Sequence, residues 1–211
     1  RVCAVLWNHE DLPEPLMVPH PWAKQMVRAC LQNKYVAIGG AASSSKSHTM
    51  AAWGIVNWLS QPAETLVLIT STTVREAGKR IWGSVMSLMN AIEAHNPPCA
   101  IRSSLGSIAY VTESGKIIEK AGLALVASDK AKGGKVNTKL VGSKQKRVIV
   151  IGDELAELQP TIMQTVVSNL SKNPWLQAIG MSNPSSRLDA FGAWAEPEGG
   201  WDSVDHLTAD T

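Results

Sequence analysis

Short runs of apolar residues alternate along this chain with longer segments in which apolar residues recur every three or four positions. The short runs are typical of β-strands, and the wider spacing is typical of helices. Such an alternation predicts an α/β fold with a mostly parallel sheet flanked by helices. The predicted strands are Tyr35–Ile38, Leu66–Thr70, Leu123–Ser128, Val148–Gly152 and Leu176–Met181.

Three helices and one hairpin are predicted between these strands. The first helix follows Lys46, the second opens with the capping-box pattern Thr73-x-x-Glu76, and the third has Pro160 near its start. The segment "SIAYVTESGKIIEK", residues 107–120, predicts a β-hairpin that turns at its Ser-Gly pair. We therefore expect a β-hairpin insertion in an otherwise parallel sheet.

The composition fits a folded chain that does not cross a membrane. Of its 211 residues, 45% are hydrophobic and 18% are charged, which predicts a single domain over residues 1–211. No apolar run approaches the roughly 20 residues of a membrane span. Cys3, Cys30 and Cys99 match no metal or disulfide spacing, which favours a soluble protein in a reducing, intracellular compartment. Because the chain begins with Arg1 rather than Met, we expect it to be part of a longer protein.

The stretch "GGAASSSKS" after the first predicted strand is close to the phosphate-loop pattern G-x-x-x-x-G-K-[ST], with Ser45 in place of the second glycine. Small residues let backbone N–H groups point at phosphates, a lysine reaches the outer phosphates, and a hydroxyl binds Mg²⁺. A left-handed backbone at Ser45 would cost roughly 1 kcal/mol. The alternative is a serine-rich turn between a strand and a helix. The predicted nucleotide contacts in this region are Gly40, Ala41, Ala42, Ser43, Ser44, Ser45, Lys46, Ser47 and His48.

Polar residues also follow two later strands. The stretch "RVIVIGDEL" ends in Asp153 and Glu154, and the strand "WLQAIGM" is followed by Asn183. Because ligands of open α/β sheets bind at the carboxyl ends of the strands, these residues are candidates for one site with the phosphate loop. We predict that Asp153 holds Mg²⁺ with Ser47, that Glu154 activates water, and that Asn183 senses the γ-phosphate. The alternatives are a solvated acidic turn and a simple "SNPSS" turn.

The order and separation of these motifs resemble the ATPase domain of the large terminase subunit, the DNA-packaging motor of tailed bacteriophages. "GGAASSSKS" resembles its Walker A loop, "LVGSKQKRVIVIGDEL" its Walker B region and "GMSNPSS" its coupling motif, and the likeness extends from Pro19 to about Gly200. The resemblance implies a P-loop NTPase fold of the RecA/ASCE type. It also implies Mg²⁺-dependent ATP hydrolysis that powers translocation of double-stranded DNA into a procapsid.

The resemblance further implies a base-contacting segment before the loop. Residues 1–34 would form the adenine side, with Trp22 and Gln25 of "PHPWAKQM" as candidate contacts. The alternative for this segment is the start of a helix with a buried tryptophan. The implied partners are a small terminase subunit, a portal ring and further copies of the chain in a ring, in the cytoplasm of an infected bacterial host. The downstream nuclease domain of the family is not contained in these residues.

The phosphate loop departs from many terminases because it contains no arginine. Phosphoryl transfer needs positive charge against the γ-phosphate, and in a ring a neighbouring subunit can supply it. Residues 129–147 carry seven positive charges against one negative in a chain whose net charge is only +2. From this basic loop we predict Lys144, Lys146 and Arg147 as candidate cations acting in trans. A solvated surface loop, or one that contacts DNA phosphates, is the alternative.

Two other functions fit the same motifs. A helicase-like DNA-dependent ATPase shares both nucleotide motifs, but it should bring further arginine-bearing motifs in a second domain, and none is apparent in these residues. A degenerate nucleotide-binding scaffold would keep the fold and would have lost turnover through Ser45. Phosphate release stimulated by DNA separates the scaffold from either enzyme.

Overall fold

An eight-stranded sheet with helices on its two faces forms the centre of the described structure, a computed structural model. The strands are β1 (Tyr35–Gly39), β2 (Thr65–Ser71), β3 (Cys99–Arg102), β4 (Ser107–Val111), β5 (Ile117–Ala127), β6 (Arg147–Gly152), β7 (Trp175–Ser182) and β8 (Asp205–Thr208). The structure describes residues 2–8, 10, 12–18, 20–73, 80–102, 106–127, 144–160, 162–170, 172–196 and 205–208.

The strand order is β3-β4-β5-β2-β6-β7-β1-β8. The pairs from β5 to β8 are parallel, whereas β3 and β4 form an antiparallel extension at one edge. The predicted mostly parallel α/β sheet is therefore confirmed, and all five predicted strands are present. The β-hairpin prediction is also correct, since β4 pairs antiparallel with β5.

Six α-helices lie in the described part of the chain. They are α1 (Val2–Trp7), α2 (Pro21–Gln32), α3 (Lys46–Ser60), α4 (Ile81–Ala91), α5 (Ile162–Leu170) and α6 (Ala190–Ala195), and 3₁₀ turns cover Glu93–His95 and Leu155–Glu157. The predicted helix after Lys46 is found as α3. The predicted capping box of the second helix reaches into residues 74–79, which lie outside the described residues, and α4 begins at Ile81. Within the described chain, no helix is long and apolar enough to span a bilayer.

The central strands are apolar along their whole length because helices cover both faces of the sheet. In β6, Ile149 and Ile151 belong to the core beneath α2, α3 and α4, and Val148 and Val150 belong to the core beneath α5 and α6. Alternate residues of a strand point to opposite faces, so a strand between two helical layers reads as one continuous hydrophobic run. The run "RVIVIG" therefore places Asp153 directly at the sheet edge.

The strand order brings three loops to one edge. β7 lies between β1 and β6, and the three strands are parallel, so their carboxyl ends meet on the same side. The segments that follow them contain the phosphate loop, the Asp153–Glu154 pair and Asn183, for β1, β6 and β7 respectively. Residues separated by more than a hundred positions in sequence are thereby placed in one crevice, where α/β sheets bind ligands.

The hairpin offers a test of the fold. Gly122 of β5 has a φ of +134°, and a methyl group added there would lie inside van der Waals contact of the Ile108 carbonyl oxygen in β4. We expect Gly122→Ala to lower the free energy of unfolding by roughly 3 kcal/mol or more, measured by urea denaturation. Gly115 is the matched control, because its φ is +79° but nothing lies within 4 Å, so Gly115→Ala should cost only about 1 kcal/mol. Equal losses would show that strand contact does not fix the hairpin.

Candidate nucleotide-binding site

The loop between β1 and α3 has two serines in the left-handed backbone conformation. Ser43 and Ser45 both have a φ of 61°, and the Ser45 side chain makes no capping hydrogen bond to α3. The Gly40 N–H is tied to the Ser182 carbonyl oxygen of β7 at 3.2 Å. Left-handed residues other than glycine cost roughly 1–2 kcal/mol each, so the surrounding structure must hold this loop. Ser45 thus has the conformation for which the motif usually employs glycine.

Lys46 is the side chain around which this loop is arranged. It is only 7% exposed, and its Nζ donates hydrogen bonds to the carbonyl oxygens of Gly40 and Ala41, both at 2.8 Å. It also donates to Asn183 Oδ1 at 2.9 Å. Burial lowers the pKa of Lys46, and the charges of Glu154 and Asp153 oppose that shift. One ammonium group therefore joins the phosphate loop to the end of β7.

Ser47 and Asp153 meet beside this lysine. The Ser47 hydroxyl donates to Asp153 Oδ1 at 3.0 Å, and Asp153 is only 2% exposed. Its second oxygen, Oδ2, is buried and has no hydrogen-bond partner among the described residues. Burial raises the pKa of Asp153 to about 6, although the hydrogen bond from Ser47 lowers it. A buried carboxylate oxygen without a partner is costly, which indicates a place for a cation or a donor.

These two side chains fit Mg²⁺. A hydroxyl oxygen and a carboxylate oxygen are the hard ligands that this ion prefers, and Mg²⁺ commonly binds one or two protein groups together with phosphates and water. In the described part of the chain, no cluster of three or more His, Cys, Asp or Glu side chains is available to hold a metal. The protein would therefore supply Ser47 and Asp153 only, as the phosphate-loop motif predicts.

Glu154 also has a left-handed backbone, with φ 50° and ψ 51°, and it starts the tight turn into the 3₁₀ segment Leu155–Glu157. Its Oε1 lies 3.8 Å from Arg80 Nη1, and the same nitrogen lies 3.8 Å from Glu157 Oε2. Arg80 was not predicted as a site residue. No motif spacing points to it, because the contact joins positions separated by more than seventy residues.

The end of β7 connects the two other loops. The Ser182 hydroxyl accepts a hydrogen bond from the Ala156 N–H at 3.1 Å, beyond the acidic pair, while the Ser182 carbonyl holds Gly40. The next residue, Asn183, accepts from Lys46. Asp189 orders the following turn by accepting from Ser186 N at 3.0 Å. The "SNPSS" segment is thus both a well-formed turn and a contact of the phosphate loop.

Comparison with known proteins places this arrangement. No family model matches the sequence, and no curated protein does. Among solved structures, the large terminase ATPase domain of Thermus phage P74-26 superposes with a TM-score of 0.68 at 15% identity, covering 91% of this chain and 81% of that one. The HK97 large terminase gives a TM-score of 0.64 at 14% identity over 92% of this chain and 40% of that one. A large terminase from a thermophilic bacteriophage gives 0.67 at 9% identity over 91% and 46%.

The chain has the fold of a large terminase ATPase domain. The resemblance drawn from the motifs is thereby confirmed as a likeness of fold, to ATPase domains of several phages. Another structure of the thermophilic bacteriophage terminase, with a TM-score of 0.59 at 10% identity over 85% of this chain and 41% of that one, is a complex with ADP. At these identities the likeness concerns the fold, and the roles of individual residues stay predictions.

The predicted base contacts lie on the other side of α3. Trp22 is the second residue of α2 and is buried in the core, and Gln25 is exposed one turn further along this helix. The imidazole Nε2 of His48 lies 2.8 Å from the carbonyl oxygen of Leu16, so this side chain contacts the N-terminal segment. The side chain of Trp22 therefore has the buried position of the alternative interpretation. A nucleotide contact by Gln25, or by the His48 backbone, stays a prediction.

The predicted trans-acting cations lie far from the site of their own subunit. Arg147 begins β6 and donates to Ser60 Oγ at 3.0 Å and to the Asn57 side chain, whereas Asp153 follows the opposite end of that strand. At about 3.3 Å per residue this separation is on the order of 20 Å. Lys146 pairs with Glu64 at 2.9 Å, and Lys144 is exposed. Service to a neighbouring subunit stays a prediction, and residues 128–143 lie outside the described residues.

The loop geometry predicts different outcomes for neighbouring substitutions. Ser45→Gly should keep Mg-ATP affinity within severalfold and stabilise the fold by roughly 0.5–1 kcal/mol, because glycine adopts the left-handed conformation without strain. Lys46→Ala should lose nucleotide affinity or turnover. Titration calorimetry and urea denaturation measure both effects. Equal and severe losses of affinity would instead make the Ser45 hydroxyl a nucleotide ligand.

The buried Asp153 predicts a pH-dependent stability without nucleotide or metal. Because its folded pKa of about 6 lies above its ordinary 3.8, the folded state binds the proton more tightly. The resulting stability is present below about pH 4 and is lost as pH rises to about 6. At roughly 1.4 kcal/mol per pKa unit, we expect Asp153→Asn to gain roughly 3 kcal/mol over the parent between pH 4 and pH 7. A pH-independent difference in unfolding free energy would refute this.

Proposed function

We propose that this chain hydrolyses ATP with Mg²⁺ and that hydrolysis drives double-stranded viral DNA into a procapsid. The observation that carries the proposal is the convergence of three separate segments on one lysine and one aspartate. Lys46 bonds Asn183 at 2.9 Å, and Ser47 bonds Asp153 at 3.0 Å. A serine-rich turn, a solvated acidic turn and an isolated "SNPSS" turn would have no reason to meet in this way. The terminase ATPase fold and the ADP complex of the thermophilic bacteriophage terminase support it.

Lys46 binds the outer phosphates in this proposal. Its ammonium donates to the Gly40 and Ala41 carbonyls, which are weak partners for a buried cation compared with phosphate oxygens. Phosphates entering the loop would also meet the N–H groups at the start of α3 and its positive dipole end. We infer that nucleotide binding exchanges the carbonyl contacts of Lys46 for phosphate contacts.

Ser47 and Asp153 would hold Mg²⁺, with Asp153 ionised. When bound, the ion neutralises charge on the phosphates during transfer. Asp153 Oδ2 is the oxygen with free acceptor capacity, and Oδ1 is oriented by the Ser47 hydroxyl. A cation at this point favours the ionised carboxylate and offsets the burial that raises the pKa of Asp153.

Glu154 is the proposed general base. It adjoins the metal-binding Asp153, and its side chain is 26% exposed, so a water molecule can reach the carboxylate. The base accepts a proton from that water as the water attacks the γ-phosphate. Its left-handed backbone fixes the point from which the side chain extends. Strained backbone at such a position is typical of functional sites.

Asn183 is the proposed γ-phosphate sensor. Its amide oxygen holds Lys46, and the preceding Ser182 holds both the phosphate loop and the turn after Glu154. A change at the γ-phosphate would therefore reach β7 and the Asp189-ordered turn behind it. Loss of a phosphate contact on hydrolysis is a recognised way to switch a loop between two arrangements.

Partners and context follow from the terminase likeness as part of the same proposal. Residues 1–211 act as one ATPase domain, with residues 1–34 on the adenine side. Double-stranded DNA is the substrate that is moved, and copies of the chain form a ring with a portal protein and a small terminase subunit. The work takes place in the cytoplasm of an infected bacterial cell.

Glu154→Gln tests the proposal. The amide keeps the shape of the side chain but cannot accept the proton, so turnover should fall by roughly a hundredfold or more while Mg-ATP affinity stays nearly unchanged. Phosphate release with and without double-stranded DNA, combined with calorimetric binding, measures both. Glu113→Gln, in the exposed hairpin turn, is the matched control. A Glu154→Gln variant at the parental rate would exclude Glu154 as the base, and a parent that binds ATP without releasing phosphate would identify a scaffold.

A further inference from the structure

We propose that Arg80 is a positioning residue that holds the Glu154 carboxylate of its own subunit for proton abstraction, and that Glu157 anchors Arg80 in this place. The inference rests on the proposed ATPase function and extends it to two residues that no motif contains. It begins with a single guanidinium nitrogen, Arg80 Nη1, that lies 3.8 Å from a carboxylate oxygen of each glutamate.

The local backbone brings both carboxylates to Arg80. Glu154 and Glu157 flank the 3₁₀ turn, which is closed by a hydrogen bond of 2.9 Å from Glu157 N to Glu154 O. In 3₁₀ geometry, side chains three positions apart lie on the same side. The turn itself is fixed, because Leu155 is fully buried and the Ala156 N–H is held by Ser182. The two glutamates are therefore presented together by a rigid base.

The Glu154 side chain needs a partner if its position is to be defined. A glutamate has several rotatable bonds, and a partly exposed one loses rotamer freedom only when something holds it. Arg80 immediately precedes α4, whose first residues Ile81 and Trp82 are buried in the core. The guanidinium is thus attached to a firmly packed element. A general base gains rate from correct placement, which makes its holder important for turnover.

The exposure of these side chains argues against a role in stability. Arg80 is 38% exposed, and Glu154 and Glu157 are 26% and 51% exposed. Exposed ion pairs at such distances contribute roughly 0–1 kcal/mol to folding. Arg80 and Lys46 both act electrostatically on Asp153 as well, so Arg80 offsets part of the negative charge at this edge. The loss of Arg80 should therefore affect catalysis far more than folding.

Kinetics of Arg80 variants test the inference. We expect Arg80→Ala to reduce kcat about 10- to 100-fold, with KM, Mg-ATP affinity and thermal midpoint nearly unchanged. Arg80→Lys keeps the charge but not the planar guanidinium, so it should retain several times the rate of Arg80→Ala. Guanidinium ion added to Arg80→Ala should partly restore turnover. Arg28→Ala, an exposed arginine on α2, is the matched control and should behave as the parent.

A double-mutant cycle identifies the partner. If Arg80 acts through Glu154, then Arg80→Ala should cause little further loss in a Glu154→Gln background. Glu157→Gln should lower kcat less than Arg80→Ala, because it removes only the anchor. A full and independent loss in the Glu154→Gln background would overturn the inference. A loss of ATP affinity relative to ADP would also overturn it, since Arg80 would then contact the γ-phosphate.

Mixed rings show where Arg80 acts. A subunit with Arg80→Ala lacks a positioned base, and one with Glu154→Gln lacks the base itself, so a mixture of the two should recover no activity. Recovery would place Arg80 in the neighbouring active site and overturn the inference. The outcomes separate from those of the proposed function: a parent without ATPase activity refutes that function, whereas an active parent, an inactive Glu154→Gln and an Arg80→Ala at the parental rate refute this inference alone.

Discussion

The buried ammonium of Lys46 is the interaction on which the rest of the site depends. A charge that is only 7% exposed must be surrounded by acceptors, and the chain supplies the Gly40 and Ala41 carbonyls and the Asn183 amide oxygen. These acceptors come from loops after β1 and β7, so the lysine is satisfied only when those strands are neighbours. The sheet order and the left-handed serines of the loop serve the same arrangement.

The acidic side of the crevice complements this cation and is less completely satisfied. Asp153 is almost fully buried, one of its oxygens is held by Ser47, and the other has no partner in the described structure. Half-satisfied polar groups at a sheet edge are expensive in folding and typical of sites that a ligand completes. Lys46 held by carbonyls and Asp153 held by a hydroxyl are together a consistent nucleotide-free state.

Much of the fold and part of the site were predictable from local pattern. Continuous apolar runs indicated the parallel strands, because strands covered on both faces have no polar side. The left-handed conformation of Ser45 followed from its place in the phosphate-loop motif. The short strands β3 and β8 carry no comparable apolar run, so pairing with their neighbours, and not local sequence, determines them.

Contacts between distant segments account for what sequence did not reveal. Arg80 reaches Glu154 only because α4 begins beside the end of β6, and its spacing in sequence gives no hint of this. Trp22 was considered as a base contact and lies in the core, since a large aromatic on an amphipathic helix gains more from burial. The direction of the His48 ring toward Leu16 likewise depends on where the N-terminal segment packs.

A crystal structure of the chain with Mg²⁺ and a non-hydrolysable ATP analogue would distinguish a working site from a coincidental turn. We expect Lys46 Nζ to leave the Gly40 and Ala41 carbonyl oxygens and to contact the β- and γ-phosphates. The ion should lie against Ser47 and Asp153, with Glu154 facing the γ-phosphate through a water molecule. A nucleotide bound elsewhere, or a loop in which Lys46 keeps both carbonyl contacts beside the phosphates, would show that these residues do not form the ATPase site.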